Sequence, residues 1–158
     1  HFPAISGAVL ESDIYAEAIC DGIHLHPGTV RILLKAKGEE RVIAITDSIM
    51  AAGLGDGRFK LGVNDVIVKN GDAVLADGGS RAGSTLTMSR AFANLRRFTG
   101  LPPYRLAKLL SANPADLLGL GDRKGRLLPG YDADITLISD EGAVAATFVE
   151  GRRVYTAG

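Results

Sequence analysis

A carboxylate closes the most apolar run of this sequence and stands where an acid–base catalyst could act. Residues 42–45 are all apolar, and Asp47 follows them after a single threonine. An aspartate can accept a proton from water and return it to a leaving group. Barrel and doubly wound enzymes place catalytic groups at the carboxyl ends of buried strands. The alternative is that Asp47 only caps or turns the chain after the strand. Its position alone leaves both interpretations open.

Two histidines at alternate positions, His24 and His26, are the second candidates. In an extended segment both side chains would point to the same side, as paired metal ligands can. Metal sites usually need three or four ligands. A substrate contact by His24 at the mouth of a strand is therefore equally compatible with the pattern. The structural alternative has one imidazole solvated and the other packed against the strand.

A glycine-rich loop over residues 77–84 leads into a predicted helix. Backbone N–H groups at such a helix start can bind anions or carbonyl oxygens. The loop has neither the Lys-Ser/Thr ending of a P-loop nor a GxGxxG spacing, which argues against nucleotide binding. We expect Ser84 and Thr85 to be simple N-caps. A nucleophilic role for Ser84 would need a base and a strained elbow, and the sequence shows neither.

The elements that position these groups follow from periodicity and turn signals. The β-branched run over 41–46 predicts a strand buried on both faces, as in a parallel α/β sheet. A strand is also expected over 19–24, after an amphipathic segment at 7–20. Helical spacing predicts helices over 29–37, 85–98, 102–110 and 113–119. Turn signals predict two sets of β-strands, at 59–61, 66–68 and 74–75, and at 135–138, 146–149 and 153–155.

Composition narrows the function classes. The 158 residues suffice for one ordinary domain with a core. The 18 basic and 18 acidic residues cancel, which argues against nucleic acid or an anionic membrane surface as a partner. Apolar runs are strand-length, well short of the ~20 residues of a membrane span. The single cysteine, Cys20, lies in an apolar patch, so we expect it to be buried and inert in a reducing, cytoplasmic setting.

Several motifs appear in an order that matches one enzyme family. They are Asp-Gly-Ile-His at 21–24, Ile-Thr-Asp-Ser at 45–48 with Ala-Ala-Gly at 51–53, Ala-Gly-Ser-Thr-Leu-Thr-Met at 82–88, Asn-Pro-Ala at 113–115 and Leu-Pro-Gly-Tyr-Asp-Ala-Asp at 128–134. Together they resemble the N-acetylglucosamine-6-phosphate deacetylases of the amidohydrolase superfamily. The last motif identifies only the superfamily, whereas the motif at 82–88 is the most specific.

The resemblance implies an α/β fold, the metal-dependent (β/α)8 barrel of the amidohydrolases with a small β-sandwich. We expect residues 1–120 to supply the final strands of the catalytic barrel. Residues 121–158 would be the returning strands of the sandwich. The resemblance covers nearly the whole chain but matches only the later part of such an enzyme, and the chain begins at His1 without an initiator methionine. We therefore expect a fragment or a processed chain.

The family's site residues transfer to matching positions. Asp47 matches the catalytic aspartate, and His24 matches the histidine that contacts the sugar phosphate. Arg81, Ala82 and Gly83 match a loop segment that lines the substrate site. Arg81 departs from the aliphatic residue expected at its position. The resemblance gives His26 no role.

The metal site is only partly represented. His1 matches the family's metal-binding histidine in a Thr-His-Leu-Phe-Asn-Ala-Met motif, and Phe2 fits, but Asn-Ala-Met does not follow. The metal-binding glutamate and second histidine would lie upstream of His1. The family implies a divalent ion, zinc or iron, and a homodimer.

The resulting hypothesis is metal-dependent hydrolysis of the N-acetyl amide of N-acetylglucosamine 6-phosphate to glucosamine 6-phosphate and acetate. Two alternatives stay open. One is another amidohydrolase, acting on cyclic amides. The other is a catalytically silent fragment that lacks its metal ligands.

Overall fold

Two parallel strands form the centre of the molecule. The computed structural model describes residues 4–158. Strand β1 (Ala16–Ile19) pairs in parallel with β2 (Val42–Ile45), so that Ile19 lies opposite Ile45. Three of the four β2 residues are buried. The predicted strand, its burial on both faces and its parallel pairing are therefore confirmed.

Helices surround this pair. They are α1 (Ala4–Glu11), α2 (Pro27–Lys37), α3 (Met88–Thr99), α4 (Pro103–Ala107) and α5 (Asn113–Leu117). Helix α1 packs against α2 rather than against the strands. A 3-10 turn (Glu39–Arg41) precedes β2, and a π-helical turn (Lys108–Ala112) joins α4 to α5. The apolar faces of α2, α3, α4 and the π turn pack against both strands. The buried members of this main core are Ala18, Cys20, Val30, Val42, Ala44, Phe92, Leu95, Phe98, Leu106 and Leu109.

A three-stranded antiparallel sheet is inserted between β2 and α3. Its strands, in the order β3-β4-β5, are β3 (Gly57–Leu61), β4 (Asn64–Lys69) and β5 (Asp72–Leu75). It has a core of its own, formed by Ala51, Val66, Val68, Ala73 and Ala82. The predicted hairpin and third strand are confirmed, and we call this unit the β-insert.

The end of the chain forms a second antiparallel sheet. Its strands are β6 (Ile135–Ile138), β7 (Val144–Val149) and β8 (Arg152–Thr156), in the order β6-β7-β8. This confirms the predicted all-β tail. All of β8 is exposed. None of the helices within residues 4–158 has the length and apolarity needed to cross a membrane.

Three predicted boundaries were wrong. The strand expected over 19–24 ends at Ile19, because the Asp21 side chain accepts hydrogen bonds from the N–H groups of Ile23 and His24 and closes a turn. Helix α3 begins at Met88 with Thr87 as its N-cap. The helices expected over 102–110 and 113–119 are one continuous helical segment, since the π turn bridges them.

Candidate active site

Asp47 lies at the carboxyl end of β2, two residues past the last paired strand position. Because β1 and β2 are parallel and in register, the loops that follow both strands leave the same edge of the sheet. The Asp47 side chain is exposed there. Its backbone φ is +48°, in the left-handed region that few non-glycine residues adopt. The position of Asp47 at the carboxyl end of a buried strand was predicted, whereas its left-handed backbone was not.

Hydrogen bonds to Ser84 hold the turn at Asp47. The Ser84 N–H donates to the Asp47 carbonyl oxygen at 2.8 Å, and the Ile49 N–H donates to the Ser84 carbonyl oxygen at 2.9 Å. The Ser84 hydroxyl donates to the Thr46 carbonyl oxygen. These bonds make Ser84 and Ser48 partners in a short parallel bridge. The loop that ends the β-insert is thereby joined to the loop that follows β2.

Gly83 packs directly against the Asp47 turn. It has a φ of +69°. A Cβ atom at this position would lie 2.7 Å from Ile49 Cγ2 and 2.9 Å from the Asp47 carbonyl oxygen. The Asp47 carboxylate oxygen Oδ2 would be 3.5 Å away. Only glycine fits here without displacing the turn, so the structure brings Gly83 and Asp47 together.

His24 follows β1 and is oriented by a carboxylate. Its Nδ1 lies 2.6 Å from Asp21 Oδ2. The other Asp21 oxygen accepts from the Ile23 and His24 N–H groups, each at 2.8 Å. If Nδ1 donates to Asp21, the ring presents Nε2 as its second polar atom. The turn is anchored to α3 by a bond from Asn94 Nδ2 to the Cys20 carbonyl oxygen, at 2.9 Å.

Asp21 is held in its charged form. Partial burial by itself would raise its pKa, but the hydrogen bonds from the His24 ring and from the His24 and Ile23 N–H groups outweigh that effect, and the pKa is lowered. The sequence reasoning gave Asp21 no role. The spacing Asp-x-x-His was the available signal, because an aspartate can bond the backbone two and three residues ahead and so return to the imidazole.

His26 has a different task from His24. Its Nδ1 accepts a hydrogen bond from the Gly28 N–H at 3.1 Å, which makes it the N-cap of α2. The segment is a turn, so the two imidazoles do not form the extended pair that the alternation suggested. Within residues 4–158, no three His, Cys, Asp or Glu side chains cluster in a metal-binding arrangement. His1, the predicted metal ligand, lies outside the described residues.

The loop residues expected to line the substrate site have distinct environments. Arg81 forms a bidentate ion pair with Asp72, with Nε and Nη2 at 3.1 Å and 3.2 Å from its two oxygens. The Ala82 side chain is buried in the core of the β-insert, and its N–H donates to the Ala73 carbonyl oxygen. Of these three loop residues, Gly83 is the one that packs against Asp47. The sequence analysis did not identify Asp72 as the ion-pair partner of Arg81.

The N-cap roles predicted for Ser84 and Thr85 are wrong. Ser84 and Thr85 are not N-caps, because their hydroxyls donate to the Thr46 and Gly71 carbonyl oxygens instead. Cys20, by contrast, is 1 % exposed as expected, and burial raises the pKa of its thiol to about 12. Burial and the raised pKa both argue against a reactive role for this thiol.

A large cavity lies elsewhere. It has a volume of about 970 Å³ and is bounded by α3, α4 and the π turn on one side and by β6 and β7 on the other. Neither Asp47 nor His24 lines it. The candidate site is therefore the open edge of the central strands.

Comparison with known proteins defines the class. The family model described as "Amidohydrolase family" matches residues 6–154. The chain belongs to the amidohydrolase family. This agrees with a parallel strand pair that carries an aspartate at its carboxyl edge, and with the barrel and β-sandwich fold class predicted from sequence.

Within that family, the similar proteins include several deacetylases. The solved N-acetylglucosamine-6-phosphate deacetylase from Thermotoga maritima is 43% identical with a TM-score of 0.91, covering 97% of this chain and 42% of that one. A Mycobacterium smegmatis deacetylase, an aspartate-to-alanine mutant in complex with N-acetyl-D-glucosamine-6-phosphate, is 34% identical with a TM-score of 0.87, covering 94% and 40%. The Bacillus subtilis enzyme of the same name is 39% identical, covering 97% of this chain and 39% of that protein. The chain thus spans about two fifths of the length of these relatives.

Proposed function

We propose that this chain supplies the acid–base and substrate-binding residues of an enzyme that hydrolyses the N-acetyl amide of N-acetylglucosamine 6-phosphate. The observation that carries the proposal is the fixed Asp47 turn at the carboxyl edge of β2. The names of its relatives indicate the substrate. The products would be glucosamine 6-phosphate and acetate.

In this proposal Asp47 transfers the proton. Water attacks the acetyl carbonyl carbon, the carbon–nitrogen bond breaks, and acetate leaves with the water oxygen. Asp47 takes the proton from the attacking water and delivers it to the departing nitrogen, so the carboxylate is regenerated. The exposed position of Asp47 leaves room for a substrate beside it.

His24 would bind the sugar phosphate, and the loop over 81–83 would line the site beside Asp47. The Asp21 carboxylate fixes the imidazole at Nδ1, which leaves Nε2 as the ring atom that would face the substrate. Gly83 lets the loop approach the Asp47 turn closely. Arg81 and Ala82 would contribute backbone groups, because the Arg81 side chain is paired with Asp72 and the Ala82 side chain is buried.

Amidohydrolases are generally metal-dependent, and when bound a divalent ion, zinc or iron, would activate the water. The described residues do not make a ligand set for it. We therefore assign its ligands outside residues 4–158, His1 among them, and assign the described residues proton transfer and substrate binding only. Elemental analysis beside intact mass tests this. A mass well above that of the 158 residues, with about one ion per chain, supports it, and a metal-free protein whose mass matches 158 residues supports the silent-fragment alternative.

We also propose that residues 1–120 belong to the catalytic barrel and 121–158 to the β-sandwich, in a cytoplasmic homodimer. The helical segment ends at Leu117, and the strands that follow pair with one another among the described strands. Light scattering tests the dimer, and a monomer at assay concentration contradicts it.

The decisive experiment is acetate release by wild type and Asp47→Asn, measured in a complete protein that includes the metal ligands. The amide keeps the shape of the side chain and removes the base, so kcat should fall by at least ~10²-fold. Asp13→Asn removes an exposed carboxylate before β1, at the opposite edge of the sheet, and should leave kcat unchanged. Near-native turnover by Asp47→Asn contradicts the proposal. A panel of cyclic ureides tests the other amidohydrolase alternative.

A further inference from the structure

We propose that Ser84 is a positioning residue for Asp47: it holds the left-handed turn that aims the carboxylate. The inference rests on the proposed function of Asp47. It assigns to Ser84 a task different from the N-cap role that we expected from the sequence.

Ser84 contacts the Asp47 turn through each of its polar groups. The hydroxyl donates to the carbonyl oxygen of the preceding Thr46. The N–H donates to the Asp47 carbonyl oxygen at 2.8 Å, and the carbonyl oxygen accepts from the Ile49 N–H at 2.9 Å. Ser84 therefore bonds both peptide groups that flank the Asp47 Cα atom.

The Ser84 hydroxyl is buried and donates its one proton within the fold. It donates to Thr46 and accepts from the Leu86 N–H at 3.0 Å, and the residue is 3 % exposed. A buried hydroxyl with both roles in use neither attacks a substrate nor contacts one. Its contribution to catalysis passes through the backbone of Asp47.

The backbone of Asp47 needs such support. A non-glycine residue in the left-handed region is strained, and it stays there only where its surroundings fix it. When the hydroxyl is lost, the Thr46–Asp47 peptide can rotate and carry the carboxylate away from its position. A displacement of about 1 Å in a catalytic group can lower the rate ~10²-fold.

The test compares Ser84→Ala and Ser84→Thr with a matched control. Thr85→Val removes a neighbouring hydroxyl that bonds the Gly71 carbonyl oxygen at 2.7 Å, outside the Asp47 turn. In the acetate assay, we expect Ser84→Ala to lower kcat at least ~10-fold with KM changed less than ~3-fold, since substrate binding does not use the hydroxyl. Ser84→Thr should restore kcat, and Thr85→Val should keep it.

Several results would refute the positioning role of Ser84. Unchanged kcat in Ser84→Ala, or an equal loss in Thr85→Val, refutes the inference. If Ser84→Ala does not fold, Ser84→Cys replaces it, because the thiol is a weak donor. Its kcat should then lie well below that of Ser84→Thr, and equal values refute the inference.

A second measurement separates this inference from the proposed function. Amide hydrogen exchange of Ile49 reports the bond to the Ser84 carbonyl without any turnover. Faster exchange of Ile49 in Ser84→Ala than in Thr85→Val supports the positioning role even if wild type releases no acetate. Unchanged exchange of Ile49 refutes it, whatever the assay shows.

Discussion

Replacing Gly83 with alanine should destabilise the protein more than the same change at Gly78. Both glycines belong to the loop that ends the β-insert, and both have positive φ, +69° at Gly83 and +79° at Gly78. Each alanine therefore carries a left-handed backbone penalty of roughly 1–2 kcal/mol. Their surroundings differ. The Cβ of an alanine at Gly78 would meet nothing within 4 Å, whereas at Gly83 it would meet Ile49 and Asp47.

The extra cost at Gly83 comes from a contact that cannot relax freely. The Cβ would lie 2.9 Å from the Asp47 carbonyl oxygen, which already accepts a hydrogen bond from Ser84 at 2.8 Å. Overpacking of this kind costs roughly 1–3 kcal/mol. With the shared penalty, Gly83→Ala should lose about 2–5 kcal/mol of unfolding free energy and Gly78→Ala about 1–2.

Urea unfolding followed by circular dichroism measures both losses, with the midpoints compared at equal m-values. A difference of at least ~1 kcal/mol between the variants is the expected result. If the two alanines destabilise the protein equally, the contact between Gly83 and the Asp47 turn has no energetic consequence and the reasoning is refuted.

Other parts of the molecule give three further outcomes. Asn113 is buried and its amide donates to the main-chain carbonyls of Glu39 and Val42, so Asn113→Leu should cost about 1–3 kcal/mol in urea unfolding, and a loss below ~0.5 kcal/mol would contradict this. Folding lowers the pKa of Asp21 below its ordinary 3.8. The charged Asp21 side chain therefore stabilises the folded protein fully above that pH, and this contribution is lost as the pH falls through the pKa of Asp21 in the folded state. The unfolding free-energy difference between wild type and Asp21→Asn should therefore shrink below about pH 4, and a pH-independent difference would exclude this linkage. With its pKa raised to about 12, Cys20 should resist a thiol reagent at pH 8 until urea unfolds the protein, and rapid labelling of the native state would disprove its burial.

The parts of the fold set by local patterns could be predicted. Continuous apolar residues identified β2, and Asn70-Gly71 identified the hairpin turn of the β-insert. Asp47 followed from the place where the apolar run ends. Each of these depends on a few neighbouring residues, and tertiary contacts agree with the local preference.

The features of the fold that depend on contacts between distant residues could not be predicted from the sequence. Ser84 is a good N-cap by type, yet its hydroxyl bonds Thr46, 38 residues away, and the cap passes to Thr87. Arg81 pairs with Asp72 across a hairpin whose register no single-sequence pattern specifies. The π turn before Asn113 joins two predicted helices, and the Asn113 side chain bonds the distant segment that leads into β2.

The bridge between Ser48 and Ser84 also bears on how such a chain can change over evolutionary time. The chain between Ser48 and Ser84 begins and ends at this bridge. Its residues pack around a separate set of buried side chains. The entropy of closing a loop grows only slowly with its length. The β-insert can therefore gain, lose or exchange strands while the two serines, and the aspartate beside them, keep their places.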